Sequence, residues 1–486
     1  MNLKSNEMKI CFGLEVHITI KSKKKLFNWE NTYESKKKII PNLKNSAWEL
    51  GYLGALPVIN PEIIILSIRL ALSLKMKINS RLSFDRKIYN YPDLPKGYQI
   101  TQKKEPFAIN GFLPVIWEEK EKKILIKSLH LEEDTAKTIY DNEKIKLDFN
   151  RSGNPLIELV TEPIFSKIEL ILIFIKQLQI LLLYLNISEA KMEKGQIRFD
   201  LNFSLHSKDY FTPRYEIKNL NSLSNAKKAL EYEIQKYKEN LILNKKLLIS
   251  QTLGFDEKKK KTIILREKKN YWFLPEANIP IIKIPNFEIK KAFRKIPILP
   301  WDKWKELVKG GIKVSLANLI LENFFLFKSI FFFEKNEKKT KKEIESWIIF
   351  FLNFLNKFEK EKFFSSKKLE KYREIFFLWK EKKIENKEVI KFIKELIKKG
   401  KVKINFFYKK KEEDTSEDLL IFSKLEEIWN INLHNEYLKK PEKISNFLIG
   451  KLRKENLIFK DSKKISKITD EFIKKKIREK VSNKDK

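Results

Sequence analysis

Cysteine and glycine are scarce in this chain of 486 residues, which contains one cysteine and 12 glycines. A single cysteine excludes an intrachain disulfide and a zinc site built from several thiolates. Cys11 lies in an apolar run with the pattern of a strand, where a small buried hydrophobic side chain is the expected role. The low glycine content, with abundant Lys, Ile, Asn and Phe, is typical of an A+T-rich coding sequence.

Long apolar runs and familiar nucleotide motifs are also missing. Met1 to Lys9 has no apolar signal core. The most apolar stretch, Ile168 to Ile187, is interrupted by Glu169 and Lys176, so it predicts a buried helix rather than a membrane span. We therefore expect a cytoplasmic protein without membrane contact. Neither a Gly-x-x-x-x-Gly-Lys-Ser/Thr loop nor a Gly-x-Gly-x-x-Gly motif occurs, so any nucleotide pocket is of another kind.

Positive charge is in large excess. The chain has 101 Lys and Arg against 64 Asp and Glu, which gives a formal net charge of +37. Such a balance favours a polyanionic partner, with nucleic acid as the first candidate. An alternative remains open, in which much of the lysine excess reflects mutational drift on solvated faces.

The distribution of patterns predicts an α+β protein with three domains. Residues 9–20 and 197–206 alternate polar with apolar residues, as half-buried strands do. Asn60-Pro61-Glu62 is typical of a helix start, and Ser166 is the expected cap of a second long helix. We predict a mostly antiparallel, cradle-like catalytic domain with packed helices over 1–295. An all-helical domain over 296–412 and a small helical tail over 413–486 are expected to follow it.

Three separated blocks carry most of the candidate chemistry: Gly13 to His17, His130 to Asp134 and Arg198 to Asn202. In a strand, alternate residues point to one face, so Glu15 shares a face with His17, and Arg198 with Asp200. Carboxylates with one or two imidazoles suit Mg²⁺ or Mn²⁺ better than zinc. The four predicted metal ligands and catalytic residues are Glu15, His17, Glu132 and Asp200.

Each of these residues also has an ordinary structural interpretation. His17 or His130 could be a hydrogen-bonded core histidine. The acids of the His130 block could form a solvated strand edge. Asp200 could pair with Arg198 on its own strand or with a lysine on a neighbouring strand.

A second group of residues is predicted to bind substrate or nucleotide. Pro92 and Pro95 stiffen a loop, which can hold neighbouring polar side chains in place with little entropy left to lose. Each of these interpretations has an alternative. The loop could be an ordinary packed turn, Arg198 could be an ion-pair partner, and Lys218 could form an ion pair with Glu216. The predicted binding residues are Arg86, Lys87, Lys96, Tyr98, Arg151, Arg198 and Lys218.

At these blocks the chain resembles the B subunit of the glutamyl/aspartyl-tRNA amidotransferases. Ordered matches cover nearly the whole chain and are strongest before residue 235. Near the end of the chain, Phe447 to Gly450 resembles the tail domain of that family, which helps to bind tRNA. The best matching segments are Gly13 to His17, Gly54 to Asn60, Phe84 to Lys87, Tyr91 to Gln99, His130 to Asp134, Asp148 to Pro163, Lys191 to Asn202 and Glu216 to Ser222.

The resemblance implies an enzyme component, specifically part of a glutamine-hydrolysing carbon–nitrogen ligase. Such a chain uses ATP and Mg²⁺ to phosphorylate the side-chain carboxylate of Glu or Asp mischarged on tRNA(Gln) or tRNA(Asn). Ammonia then displaces phosphate, leaving Gln-tRNA or Asn-tRNA. We find no Ser-Ser-Lys amidase constellation, so an amidase (A) partner is expected to supply the ammonia, with a small C subunit completing a heterotrimer.

Two other functions remain open from the sequence. One is a degenerate, non-catalytic tRNA-binding scaffold, and the other is a metal-dependent nuclease.

The scaffold is motivated by departures from the family pattern. Many members carry four cysteines as a structural zinc site, and the corresponding residues here are Asn28, Glu30, Ser46 and Glu49. We therefore expect no zinc. The family usually has Asp and Arg where this chain has Asn270 and Trp272.

Overall fold

The structure is a computed structural model in which the chain separates into two compact units, Met1–Lys380 and Glu381–Lys486. It describes residues 9–32, 40–141, 144–206, 213–220, 223–242, 250–256, 259–267, 271–334, 339–358, 365–400, 421–429, 441–454 and 462–482.

The first unit is built on a nine-stranded, mostly antiparallel sheet of order β14-β13-β12-β11-β1-β10-β7-β6-β2. Only its β12–β13 pair is parallel among the described strands. The smaller sheets have the strand orders β15-β4-β5, β16-β3 and β8-β9. The strands are β1 Lys9–Thr19, β2 Lys77–Ile78, β3 Arg81–Leu82, β4 Asp85–Ile88, β5 Tyr98–Thr101, β6 Ala108–Trp117, β7 Lys120–Glu133, β8 Lys137–Asp141, β9 Lys144–Asp148, β10 Pro155–Thr161, β11 Ile197–His206, β12 Tyr215–Leu220, β13 Gln251–Asp256, β14 Lys261–Glu267, β15 Phe273–Pro275 and β16 Ile282–Lys283.

Helices cover one face of the large sheet and make up most of the chain after residue 285. The helices are α1 Pro61–Ser73, α2 Ile168–Tyr184, α3 Leu223–Ile242, α4 Asn286–Arg294, α5 Pro300–Lys309, α6 Val314–Asn318, α7 Phe324–Glu334, α8 Lys341–Phe350, α9 Ser366–Lys380, α10 Asn386–Lys399, α11 Pro441–Lys454 and α12 Ser462–Ser482. Residues 421–428 are also helical. The predicted α+β class with a mostly antiparallel N-terminal sheet is confirmed.

The alternation in β1 explains why the sheet has one apolar and one polar face. Leu14, Val16 and Ile18 are at most 1% exposed and belong to the core that also contains the buried side of α2. Removing such side chains from water contributes roughly 1.5–3 kcal/mol each. Because successive strand residues point to opposite faces, Glu15 and His17 must lie on the other side of the sheet.

The predicted start of α1 is confirmed, whereas the expected cap of α2 is wrong. Asn60 caps α1 by accepting a hydrogen bond from the Glu62 amide at 3.0 Å, and Pro61 opens the helix. At α2 the residue before the helix is Lys167, and its side chain makes no capping bond. Ser166 lies one residue too early to act as that cap, so burial of the apolar face holds this helix in place.

The second unit has a separate helical core made from 421–428, α11 and α12, with Leu425, Leu448 and Phe472 completely buried. The predicted domain boundary near residue 412 lies outside the described residues, and the boundary near residue 295 stays a prediction. None of the described helices is by itself long and apolar enough to cross a membrane. One pair, Val314–Leu321 and Phe324–Glu334, has the combined length and composition but bends by 110° at its break.

Candidate metal centre

Strand register brings the separated sequence blocks onto one face of the sheet. In antiparallel pairs, directly opposed residues project to the same side. Glu15 of β1 opposes Asp200 of β11, and His17 opposes Arg198. On the other side of β1, His17 opposes Glu158 of β10. Four strands, β7, β10, β1 and β11, therefore contribute to a single polar face.

The first cluster on this face consists of His17, Glu132 and Glu158, whose nearest ligand atoms all lie within 4.8 Å of one another. The Nε2 atom of His17 is 3.4 Å from Oε1 of Glu132. The Glu132 side chain is 6% exposed and that of His17 is 23% exposed. We call this set the histidine cluster. It places one imidazole and two carboxylates at the edge of solvent, which is a donor set suited to a hard divalent cation.

Burial and neighbouring charges control protonation in the histidine cluster. Burial lowers the pKa of His17 to about 4, with Arg198, Lys218 and Lys87 acting in the same direction and Glu158 opposing them. Burial also raises the pKa of Glu132 to about 8, assisted by Glu158 and opposed by Lys87 and Arg198. The neutral imidazole is therefore available as a ligand, and Glu132 gains from an additional positive charge nearby.

A second cluster, formed by Glu15, Asp200 and Glu216, also has ligand atoms within 4.8 Å of one another. Unlike the histidine cluster, it is held by the protein's own cations. The Lys218 ammonium lies 2.9 Å from both Asp200 and Glu216, and Arg214 lies 2.7 Å from Glu15. Although burial lowers the pKa of Lys218, Asp200 and Glu216 raise it overall. We call this set the lysine-filled cluster.

The four predicted metal ligands thus divide between the two clusters, two in each. In the described part of the chain, no set of three such ligand atoms joins Glu132 to Asp200. A single ion shared by all four side chains stays a prediction. Sequence reasoning missed Glu158 as a candidate ligand, although a lone carboxylate in the apolar run Leu156-Ile-Glu-Leu-Val160 was a usable signal. It also missed Arg214.

His130 is a histidine whose ring nitrogens are both hydrogen-bonded within the protein, which was one of the two interpretations from the sequence. Its Nδ1 contacts the carbonyl oxygen of Gln102, and its Nε2 lies 2.8 Å from the Ser128 hydroxyl. Because a carbonyl only accepts, Nδ1 carries the proton and Nε2 accepts from Ser128. The Nδ1 bond joins β7 to the segment after β5, and the Nε2 bond to Ser128 lies within β7 and fixes the orientation of the ring.

Two of the predicted binding residues form ion pairs with buried glutamates. Arg86 makes a bidentate pair with Glu276, with both N–O distances at 2.8 Å. Hydrogen bonding to Glu276 raises the pKa of the Arg86 guanidinium. Lys96 lies 2.6 and 2.8 Å from the two Glu133 oxygens, and both side chains are at most 3% exposed. These contacts fix the loop and sheet positions beside Glu132.

Asp134 links two more of the predicted binding residues. Arg151 and Arg198 each approach its carboxylate at 3.4 Å. Arg151 also donates to the carbonyls of Thr135 at 3.0 Å and Ala136 at 2.9 Å. Coulombic attraction to Asp134 raises the pKa of Arg198. Arg198 keeps 39% of its side chain exposed, so it can contact a ligand without leaving Asp134.

Tyr98 and Lys87, the predicted binding residues not yet described, take part in contacts between cations and aromatic rings. The Arg86 guanidinium lies 4.4 Å from the centre of the Tyr98 ring, and burial raises the pKa of Tyr98. The Lys87 ammonium lies 4.6 Å from the centre of the Tyr271 ring. Its charge also acts on His17 and Glu132. Lys87 thus contacts an aromatic ring and adds positive charge to the surroundings of the histidine cluster.

Three of the positions expected to hold cysteines in related proteins contact one another directly, and the fourth adjoins them. Glu49 is completely buried and accepts hydrogen bonds from the Asn28 amide and from the Ser46 backbone at 2.7 Å. The Glu30 backbone donates to Asn28 at 2.8 Å. The Lys25 ammonium lies 3.5 Å from Glu49. Hydrogen bonds and a buried ion pair thus connect these two loops.

The residues present fit a hard cation at the histidine cluster better than at the lysine-filled cluster. The histidine cluster combines a neutral imidazole with two carboxylates, one of which is raised in pKa by burial. In the lysine-filled cluster, Lys218 and Arg214 already compensate the carboxylates. Placing a metal there requires an ammonium group to move, which adds an energetic cost.

The sequence matches a known protein family over the region that contains both clusters. A family model described as the GatB/GatE catalytic domain matches residues 10–290. That region contains both clusters and more than half of the chain, and the chain belongs to this family.

Curated relatives match over greater lengths. A protein of Mycoplasma mobile is 36% identical over 464 residues, covering 93% of this chain and 94% of its own. A protein of Mycoplasmopsis agalactiae is 41% identical over 334 residues, covering 66% of this chain and 68% of its own. One from Mycoplasmopsis pulmonis is 34% identical over 458 residues, covering 92% and 94%. Each of the three is named as the B subunit of an aspartyl/glutamyl-tRNA(Asn/Gln) amidotransferase.

Proposed function

We propose that this chain is the ATP-dependent component of a tRNA-dependent amidotransferase. It converts Glu-tRNA(Gln), Asp-tRNA(Asn) or both into the corresponding amide, using ammonia from an amidase partner in a heteromeric complex. Family membership and the names of the relatives support the general activity. The single observation that carries the proposal for this chain is the convergence of His17, Glu132 and Glu158 within the matched region.

The reaction has two covalent steps. A substrate carboxylate oxygen bonds to the γ-phosphorus of ATP while the bond to the β–γ bridging oxygen breaks, giving an acyl phosphate and ADP. Ammonia then bonds to the acyl carbon, phosphate leaves with its electron pair, and the nitrogen loses a proton. The first step joins two anionic groups, so its barrier depends mainly on positioning and charge compensation.

The side chains of the polar face have distinct proposed roles in this chemistry. His17, Glu132 and Glu158 would hold Mg²⁺, which would supply charge compensation for the phosphates of bound ATP. Lys87 and Arg198 line the same cluster with positive charge and can contact the phosphoryl oxygens. Asp134 keeps Arg198 oriented through its 3.4 Å contact. Lys218 compensates the negative charges of Asp200 and Glu216.

The partner chains follow from the same reasoning. The names of the relatives describe one lettered component of an enzyme, which indicates an assembly of several chains. We propose an amidase chain that releases ammonia from glutamine, together with a small third chain. The positive charge of this protein suits tRNA as the polyanionic substrate.

A product assay with the reconstituted complex tests the proposal. Glu-tRNA(Gln) and Asp-tRNA(Asn) are supplied separately with ATP, Mg²⁺ and glutamine, and the aminoacyl group is identified after hydrolysis. We expect Glu132→Gln and Glu158→Gln to lower turnover by about 100-fold or more while tRNA binding persists. Glu231→Gln, on the exposed side of α3, is the matched control and should retain full activity.

The assay also separates the alternative functions. A non-catalytic scaffold predicts tRNA binding without tRNA-dependent ATP hydrolysis, and a nuclease predicts Mg²⁺-dependent cleavage of the tRNA. Unchanged turnover in both the Glu132 and Glu158 variants would refute the assignment of the histidine cluster. Absence of amide product from both tRNAs, with all partners present, would refute the amidotransferase function.

A further inference from the structure

An aromatic group at one end of the small β15-β4-β5 sheet has no role in the functions described above. Tyr89 and Tyr91 follow β4, and Tyr271 and Trp272 precede β15. The two strands are antiparallel, so these residues meet at the same end of the sheet. The Ile88 amide donates to the Trp272 carbonyl at 2.9 Å, which holds the two segments together.

The Tyr89 ring packs against the rings of two other tyrosines, Tyr91 and Tyr271. The centres of the Tyr89 and Tyr91 rings are 4.5 Å apart with an interplanar angle of 30°. Tyr89 also lies 5.9 Å from Tyr271, at 45°. We call Tyr89, Tyr91 and Tyr271 the tyrosine cluster. Tyr91 is 38% exposed, and Trp272, the residue after Tyr271 in the sequence, is 78% exposed. Exposed flat rings beside lysines are typical of surfaces that stack unpaired bases.

Lys87 connects the tyrosine cluster to the histidine cluster. Its ammonium lies 4.6 Å from the centre of the Tyr271 ring. Its positive charge also acts on both His17 and Glu132. A nucleotide that stacks on these rings would therefore present its phosphate to Lys87, on the side where the acids converge.

We propose that the tyrosine cluster and Trp272 stack an unpaired base at the 3′ end of the aminoacylated tRNA, and that Lys87 contacts the adjoining phosphate. This inference rests on the proposed function and adds a binding site to it. The amino acid is esterified to the terminal ribose, so the terminal base must lie close to the carboxylate that is phosphorylated. An open surface with an indole that is 78% exposed suits a strand end. A free nucleotide is normally enclosed in a concave pocket.

The test combines two forms of the tRNA with ring-removing variants of the reconstituted complex. Binding is measured for uncharged tRNA(Gln) and tRNA(Asn) with a complete 3′ end and for the same tRNAs lacking the terminal adenosine. Tyr91→Leu and Trp272→Leu should each weaken binding of the complete tRNA by about 10-fold. Binding of the truncated tRNA should stay at the wild-type value. Tyr91→Phe and Trp272→Phe keep a ring and serve as matched controls.

Three results would overturn the inference. The first is an equal loss of affinity for complete and truncated tRNA in the Leu variants. The second is a weakened affinity of the Leu variants for ATP, with unchanged affinity for the complete and the truncated tRNA. This result would assign the rings to the adenine of ATP. The third is equal binding of complete and truncated tRNA by the wild-type complex. Because only binding is measured, these outcomes do not depend on whether the complex forms amide product. The thermal unfolding temperature of each variant shows whether it is folded.

Discussion

Lys25 and Glu49 form an ion pair in which neither side chain is accessible to solvent, with Nζ 3.5 Å from Oε1. Lys25 also donates to the Lys44 carbonyl at 2.7 Å, and Glu49 accepts from Asn28 and Ser46. Burial lowers the pKa of Lys25, and Glu49 opposes that shift. The pair joins the loop that contains Lys25 to the loop that contains Glu49.

Removing one member of this pair should destabilise the first unit strongly. Glu49→Leu leaves a buried ammonium without its partner, so we expect a loss of about 3–5 kcal/mol in the free energy of unfolding. The double variant Lys25→Met, Glu49→Leu should recover much of that loss because no buried charge remains. Urea unfolding of the three proteins measures both effects. A single variant that loses less than about 1 kcal/mol would contradict the importance of the pair.

Zinc should have no structural role at this position. The residues that correspond to the family cysteines are Asn28, Glu30, Ser46 and Glu49, and they offer no thiolate. Elemental analysis of the purified chain should therefore find no stoichiometric zinc, and a zinc chelator should leave the thermal unfolding temperature unchanged. Stoichiometric zinc together with a lower unfolding temperature in chelator would disprove this expectation.

Lys96 can be tested as a substrate-binding residue separately from its buried pair with Glu133. Lys96→Met should destabilise the protein by about 3–5 kcal/mol, because the buried Glu133 carboxylate would lose its ammonium partner. Adding Glu133→Met should restore much of the stability. If Lys96 only positions the loop, amidation should recover with stability, and kcat is the informative measurement.

The opposite outcome for the double variant is equally clear. A stable protein with wild-type tRNA affinity and a much lower kcat would identify Lys96 as a substrate contact. Lys21→Met, on another part of the first unit, is a suitable control because its ammonium bonds only a surface amide, that of Asn186, among the described contacts.

Binding of tRNA should weaken steeply with salt. Lysine contacts to phosphate release condensed counterions, so the logarithm of the affinity falls linearly with the logarithm of the salt concentration. We expect at least about a 10-fold loss between roughly 50 and 200 mM potassium chloride. Filter binding over this range gives the slope, and glycerol at equal osmolality controls for solvent activity. An affinity independent of salt would show that the excess lysines do not contact the tRNA.

Much of the polar face could be predicted because strand alternation is a local property. The run from Ile197 to His206 alternates throughout and is β11 with the same bounds. Glu15, His17 and Asp200 were therefore assigned to the correct kind of element, and the register then placed them on one face. The class of fold followed from the same patterns.

The pairing of Lys218 with Glu216 and of Asp200 with a lysine on the neighbouring strand were both open interpretations of the sequence, and both pairs are present. The partners of Arg86 and Arg214 could not be predicted, because they depend on register and on contacts between distant segments. Arg86 meets Glu276 across 190 residues, and Arg214 meets Glu15 across 199. No local pattern encodes such pairs. Helix ends were uncertain for a similar reason. The helix α1, for example, ends at Ser73, and the chain turns at Lys75 with φ of 56° before it enters β2.

The internal cations of the lysine-filled cluster have a consequence for how the protein matures. Three carboxylates on adjacent strands would repel one another during folding, and Lys218 and Arg214 remove that repulsion with groups from the same chain. These three carboxylates therefore need no divalent cation to offset their mutual repulsion when β12, β11 and β1 pair.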